Sequence, residues 1–494
     1  MAAMRRIFLF ALLGVLLPAV CAQAETDQEA LIRAEAAVKA ATPRAQADPT
    51  RPIFHVTAPA QWVNDPNGPI FHQGFYHLFY QLTPCSDESG IKYWGHVRSR
   101  DLAKWEHLPI AIAPSDDLGE ESIWSGCCVI NGKGQPMAFY TSIGKGKSPF
   151  TEAVQWAATG DDDLIRWEKS SANPVATEVL HDGKKIYDWR DPFIFREGRK
   201  TFMVLGGSLN ESKGGQAVVN LYEAENPELT KWKYRGVLFQ LPDAEARTAE
   251  CPNFFKLGDE WVLFVSPYGK VQYFVGRFDA ENGRFLPRAR GLVDYGPHFY
   301  APNTMLVPDG RRLVWGWVNG FPSGRGWNGC LSLPRQLSFS RDGQLRQVPA
   351  PQLMKLRGEL MEYKEARVEA ADQRFALPAS DAMEIEAEID LNSAGGVQLA
   401  IENEKQERPV TMGFNGLELR VLDAKAPLPL AKGDRKLKLR VFIDRSVMEV
   451  FANDTVCVTK TIPLVGNNSR LSVRSEAGTA NLKRLRAWPM KTIW

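Results

Sequence analysis

The segment Ser99-Arg100-Asp101-Leu102-Ala103-Lys104-Trp105 returns along the chain as Asp162-Asp163-Leu164-Ile165-Arg166-Trp167 and as Asn226-Pro227-Glu228-Leu229-Thr230-Lys231-Trp232. Its tryptophans stand 62 and then 65 residues apart. The intervening sequence is made of short apolar runs such as Phe75-Tyr76-His77-Leu78-Phe79-Tyr80 and Trp261-Val262-Leu263-Phe264-Val265, bounded by Gly, Asp, Asn or Pro. Such runs are strands joined by tight turns. A unit of about 60 residues holds about four strands, and four-stranded units repeated around an axis make a β-propeller. Residues 50–345 have room for five blades. Trp105, Trp167 and Trp232 read as core residues of those blades.

Beyond the repeats, Pro349 and Pro351 and a charged, helix-capable run from Met354 to Arg367 mark a linker over 346–372. Alternation in Met383-Glu384-Ile385-Glu386-Ala387-Glu388-Ile389 and Leu437-Lys438-Leu439-Arg440-Val441-Phe442-Ile443 then predicts half-buried strands. Residues 373–494 read as a β-sandwich. The chain is therefore expected to be all-β, a five-bladed β-propeller followed by a C-terminal β-sandwich. Ahead of the repeats, residues 25–49 form an Ala- and Glu-rich lead with helical spacing that ends at Pro43.

Residues 1–24 have the pattern of a signal peptide. Arg5 and Arg6 precede an apolar run from Ile7 to Val20, and Ala22-Gln23-Ala24 is a small-x-small cleavage pattern. The run is short of the roughly 20 residues a bilayer span needs, so the expectation is a secreted or periplasmic protein without a membrane anchor.

Lys and Arg number 60 against 58 Asp and Glu, for a net charge of +2. That balance, without a long single-sign run, points away from nucleic acid and anionic membranes and toward a neutral substrate. The cysteines after residue 24 (Cys85, Cys127, Cys128, Cys251, Cys330 and Cys457) are scattered, with no spacing that makes a metal site. Neither a metal nor another cofactor is expected, and no disulfide pairing follows from the spacing.

Three segments set a carboxylate next to a turn-forming Pro or a polar neighbour: Trp62-Val63-Asn64-Asp65-Pro66-Asn67-Gly68, Trp189-Arg190-Asp191-Pro192 and Glu250-Cys251-Pro252. Each alone reads as a turn, because Pro restricts the residue before it and a short carboxylate accepts from nearby N–H groups. Their spacing of 126 and 59 residues is about two blade periods and then one. Inner strands line a propeller's central channel, so residues at matching inner positions of blades 1, 3 and 4 converge on one pocket. Three carboxylates packed together raise at least one pKa and leave a protonated acid beside an ionised partner, the pairing that glycosidic cleavage requires.

With those segments quoted, the chain resembles the invertase, levanase and inulinase family of glycoside hydrolases, family 32. Tyr93-Trp94-Gly95-His96, Trp124-Ser125-Gly126, Phe299-Tyr300-Ala301-Pro302, Trp315-Gly316-Trp317, Leu331-Ser332-Leu333-Pro334-Arg335 and the run from Val441 to Phe451 follow the family's order. The resemblance spans about residues 50 to 490. It implies a retaining hydrolase of β-fructofuranosidic bonds in levan, inulin or sucrose, with Asp65 as nucleophile, Glu250 as acid/base and Asp191 as transition-state stabiliser. It also implies that Asn64, Gln81, Trp94, Trp124, Ser125, Arg190 and Trp317 bind the fructosyl unit. Val63, Cys127 and Asn303 depart from the family's usual residues, a difference expected to act on the leaving-sugar subsite. A fructosyltransferase uses the same carboxylates, and a fructan-binding protein would need none of them. The inverting propeller glycosidases that degrade arabinan and xylan lack this combination of boxes. Oligomeric state is not legible.

Overall fold

The computed structural model describes residues 24–211, 216–242, 246–430 and 433–494. The expected signal peptide falls on residues 1–24, of which 1–23 lie outside the described residues. The repeats form a propeller of five antiparallel sheets. From the axis outward, blade 1 runs Gln61–His72, Phe75–Thr83, Tyr93–Ser99, Trp105–Ile112, and blade 2 runs Glu120–Ile130, Pro136–Gly144, Val154–Gly160, Trp167–Lys169. Blade 3 is Tyr187–Glu197, Lys200–Ser208, Ala217–Ala224, Trp232–Gln240, and blade 4 is Glu250–Leu257, Glu260–Ser266, Gln272–Asp279, Arg284–Leu292. Blade 5 is Phe299–Leu306, Arg312–Val318, Arg335–Phe339, Leu345–Pro349. The innermost strands touch in sequence and the fifth returns to the first, closing the ring. A parallel pairing of Trp327–Asn328 with Gln61–Trp62 adds a strand from late in the chain to blade 1.

The recurring Asp-Leu-x-x-Trp segment is the turn into the outermost strand of blades 1 to 3. Leu102, Leu164 and Leu229 adopt left-handed backbone, with φ of 61°, 58° and 61°. That conformation is unfavourable for a branched residue. In each copy the tryptophan indole N–H donates to the carbonyl of that leucine, at 3.2, 2.9 and 3.0 Å. Leu and Trp are thus two halves of one device, which explains why they recur together. Blades 4 and 5 make the same connection with Asn282-Gly283 and Asp342-Gly343, where glycine supplies the positive φ.

The Asp-Pro and Cys-Pro dipeptides are not turns, as each read alone, but β-bulges within the inner strands. In every blade two inner residues oppose one residue of the next strand: Asn64-Asp65 against Gln81, Trp124-Ser125 against Thr141, Asp191-Pro192 against Leu205, Cys251-Pro252 against Val265, and Ala301-Pro302 against Gly316. A bulge breaks the ladder locally, so a proline without an N–H costs little there, and it re-aims the neighbouring side chains.

The second unit is a sandwich whose two sheets bury Ile385, Val397, Leu399, Val441, Val450 and Val473 between them. Two expectations require correction. Residues 346–372 are not a linker, because Leu345–Pro349 is the outer strand of blade 5 and the short strands Met361–Tyr363 and Ala366–Val368 pair with Ala480–Pro489 of the sandwich. Helix there is limited to a single 3-10 segment, Pro351–Leu356; main-chain pairing at a sheet edge outcompetes helix propensity. At the N-terminus a helix spans Asp27–Ala47, continuing past Pro43. Thr26 and Glu29 form its capping box, and Ala30, Ala34, Val38 and Ala45 are buried along it.

Candidate active site

All five inner strands begin at the same mouth of the channel, and the five bulges put their polar residues there. The carboxylates occupy successive rather than identical positions. Asp65 is the second residue of its bulge, Asp191 the first, and Glu250 directly precedes one. Arg190 and Tyr300 hold the Glu250 position on blades 3 and 5. The consequence is a chain across three blades: Arg190 Nη1 lies 3.2 Å from Glu250 Oε1, and Tyr300 Oη donates to Glu250 Oε2 at 2.6 Å.

On the other side of the pocket Asp65 is held through both oxygens. Asn64 Nδ2 donates to Oδ1 at 3.1 Å and Ser125 Oγ to Oδ2 at 2.6 Å. Gln81 locks these donors, accepting from Asn64 and donating to Ser125 Oγ at 2.7 Å. Asp191 sits at a φ of 62°, its amide donating to Thr141 Oγ1 at 2.8 Å. Its Oδ2 accepts from the Cys251 amide at 2.9 Å. The Cys251 sulfur joins the two aspartates, lying 3.5 Å from an oxygen of each.

Burial acts strongly on these groups. It raises the Asp191 pKa to about 7, with Arg190 opposing and Glu250 and Asp65 adding to the rise. It also raises Glu250 above the ordinary carboxylate range, against the pull of Arg190 and the Tyr300 hydrogen bond. The Cys251 thiol is pushed well up by burial and by the three carboxylates, so it remains a neutral donor. A protonated acid beside ionised partners is what the sequence argument required.

The expected binding residues divide. Asn64, Gln81, Ser125 and Arg190 belong to the hydrogen-bonded set above. Trp124 is half-buried with the Arg190 guanidinium 5.0 Å over its ring. Trp317 is half-buried against Trp62 at 5.7 Å, and the Trp62 indole N–H donates to Asn64 Oδ1 at 2.8 Å. Trp94 is fully buried among Phe79, Tyr140 and Ile123, and its indole N–H donates to the Trp124 carbonyl at 3.0 Å. Its position on the third strand of blade 1 puts it behind the pocket wall. Val63, Cys127 and Asn303, the departures from the family's usual residues, are buried too. Val63 and Cys127 are buried in apolar clusters, and Asn303 bonds the carbonyls of Pro66 and Gly126.

Sequence reasoning missed Tyr300, Tyr268, Asp188, Trp62 and Lys92. Tyr268 Oη and Asp188 both partner Arg190, at 3.0 and 2.9 Å. Lys92 stands 5.2 Å over the Trp62 ring, bonded to Thr83 and Ser89, its pKa pulled down to about 8 by burial against the attraction of Asp65. Only Tyr300 carried a usable signal, since Tyr300-Ala301-Pro302 repeats the layout of Glu250-Cys251-Pro252. Among the described residues no group of three or more His, Cys, Asp or Glu is arranged to hold a metal.

The model for the glycosyl hydrolases family 32 N-terminal domain matches residues 55–349, and that for the family 32 C-terminal domain matches 352–489. The chain belongs to glycosyl hydrolase family 32. This family 32 hydrolase is 33% identical over 478 residues to the sucrose-6-phosphate hydrolase of Escherichia coli, covering 89% of this chain and 94% of that protein. It is 31% identical over 503 residues to the levanase of Bacillus subtilis, covering 90% and 71%. Its fold matches fructan 1-exohydrolase IIa from Cichorium intybus with a TM-score of 0.80 at 24% identity, over 90% of this chain and 98% of that one. The propeller and the sandwich are those the resemblance implied, and the protein is a glycoside hydrolase.

Proposed function

We propose that this hydrolase cleaves β-fructofuranosidic bonds in sucrose or in fructans such as levan and inulin, with retention at the anomeric carbon. The observation that carries the reading is the convergence of Asp65, Asp191 and Glu250 on one channel mouth, with Glu250 clamped between Arg190 and Tyr300. Asp65 attacks the anomeric carbon as the glycosidic C–O bond breaks, and Glu250 gives its proton to the leaving oxygen. Water then attacks the fructosyl-Asp65 ester, losing a proton to Glu250 and releasing the Asp65 carboxylate. Burial keeps Glu250 protonated before the first step, and Arg190 stabilises the charge it carries after donation. Asp191 binds fructosyl hydroxyls as the oxocarbenium character develops, and Trp124 and Trp317 wall the subsite.

The names of the relatives set the comparison to make, because one is a sucrose-6-phosphate hydrolase and another a levanase. Purified protein is incubated with sucrose, sucrose-6-phosphate, inulin and levan, and products are resolved over time. Fructose released from sucrose, inulin or levan is expected. Longer oligomers would identify a fructosyltransferase, and turnover of sucrose-6-phosphate alone would overturn the neutral-substrate reading. Asp65→Asn and Glu250→Gln are expected to lower kcat by at least about a thousandfold while leaving the unfolding transition intact. Near-normal rates in both would refute the assignment. We further place the enzyme outside the cytoplasm on the strength of residues 1–24; N-terminal sequencing of the mature protein should begin near Glu25.

A further inference from the structure

The channel has a second mouth, and its chemistry is the opposite of the first. Each inner strand that starts with a catalytic-mouth residue ends at a cavity of about 420 Å³ on the far side. Amides separate the two: Asn303 bonds Pro66 and Gly126 of blades 1 and 2, and Asn253 donates to the Pro302 carbonyl of blade 5 at 3.0 Å. The far cavity has aromatic walls from Phe193, Phe195, Phe255 and Trp261, and its charged lining residues are Arg196, Lys256 and Arg312, with no Asp or Glu.

Arg312 is the telling member. Its guanidinium lies 4.4 Å over the Phe255 ring and donates to Thr304 Oγ1 at 3.1 Å, while Nε is sealed from solvent with no partner. No carboxylate offsets its burial, which pulls its pKa down to about 9. A half-buried guanidinium with a sealed Nε–H and no carboxylate beside it is stabilised by an anion taken from solution. We propose that the far mouth of the propeller is an anion-binding site, in which Arg312 holds a phosphate or carboxylate group and Arg196 and Lys256 close over it from the rim. The site is distinct from the carboxylate-lined pocket, and the amide layer keeps its ligand out of the chemistry.

Melting temperature measured in rising inorganic phosphate, against chloride at matched ionic strength, tests this. The wild type should show a saturating rise of several degrees, and Arg312→Gln should lose it while melting no lower than the wild type in chloride. An equal rise in both proteins, or one that never saturates, is a general salt effect and overturns the site. Should Arg312→Gln fail to fold, the paired change Arg196→Gln with Lys256→Gln removes two exposed rim charges, with the loss of the Arg196 bond to the Ile130 carbonyl read out separately as the melting temperature in chloride. It is expected to move the phosphate midpoint several-fold upward, and an unmoved midpoint overturns the proposal equally.

Discussion

Arg190 and Tyr300 stabilise the charged form of Glu250 while burial and Asp65 disfavour it, and burial wins. The balance has a measurable consequence. Tyr300→Phe removes a donor to the carboxylate, so the acid holds its proton to higher pH. The alkaline limb of the kcat/KM profile is expected to move up by about half to one pH unit, with kcat down roughly tenfold; a downward shift would mean that Tyr300 does not stabilise the ionised acid. At this scale the three carboxylates were legible from their segments and spacing, because each lies within two residues of a proline that a bulge tolerates. The partners of Arg190 were not. Tyr268 comes from a loop of blade 4, 78 residues away, and Asp188, two residues before Arg190 on the same inner strand, faces the guanidinium only because of its left-handed backbone and the adjoining bulge. Trp94 shows the converse, since its full burial on the third strand of blade 1 leaves no mark in a motif context much like that of Trp124.

The elements owe their shape to two local devices, the left-handed leucine turn and the inner-strand bulge. In the turn, the indole N–H satisfies a carbonyl that the left-handed leucine leaves unpaired. Trp232→Phe keeps most of the buried ring but loses that bond. A loss of roughly 1–2 kcal/mol is expected from the urea midpoint, and a change below about 0.3 kcal/mol would show the hydrogen bond to be incidental. The turn was visible as a repeat because both of its halves lie within seven residues. The bulges were not, because a bulge is defined by two residues facing one on the neighbouring strand, and register belongs to the pair. The same holds for 346–372, whose short strands exist only against Ala480–Pro489.

Propeller and sandwich meet through buried charge. His55, ahead of blade 1, bonds Asp444 at 2.8 Å and Glu449 at 3.1 Å on the sandwich. Arg335 of blade 5 bonds Glu449 at 2.7 Å and Asp294 at 2.9 Å. Leu331–Arg335 and Val441–Phe451, two of the segments that carried the family resemblance, thus hold the domains together. Burial alone would lower the His55 pKa, but its two carboxylate partners hold it up at about 9. A raised pKa stabilises the folded state below the unfolded value near 6.5, and that stability is lost as pH climbs toward 9. Folding stability is therefore expected to fall by roughly 3 kcal/mol across that window. His55→Asn should flatten the slope in a pH series of denaturant titrations, and an unchanged slope would assign the dependence to another group.

The sequence by itself determined the fold class, the repeat, the family and the three carboxylates, since each depends on residues close together or at a fixed period. Tertiary structure alone decided which side chains tune those carboxylates, that Trp94 is fully buried, that 346–372 is folded and that the far mouth is basic. Those properties come from strand register and from side chains distant in sequence meeting in a water-poor interior, where a charge's neighbours matter more than its identity.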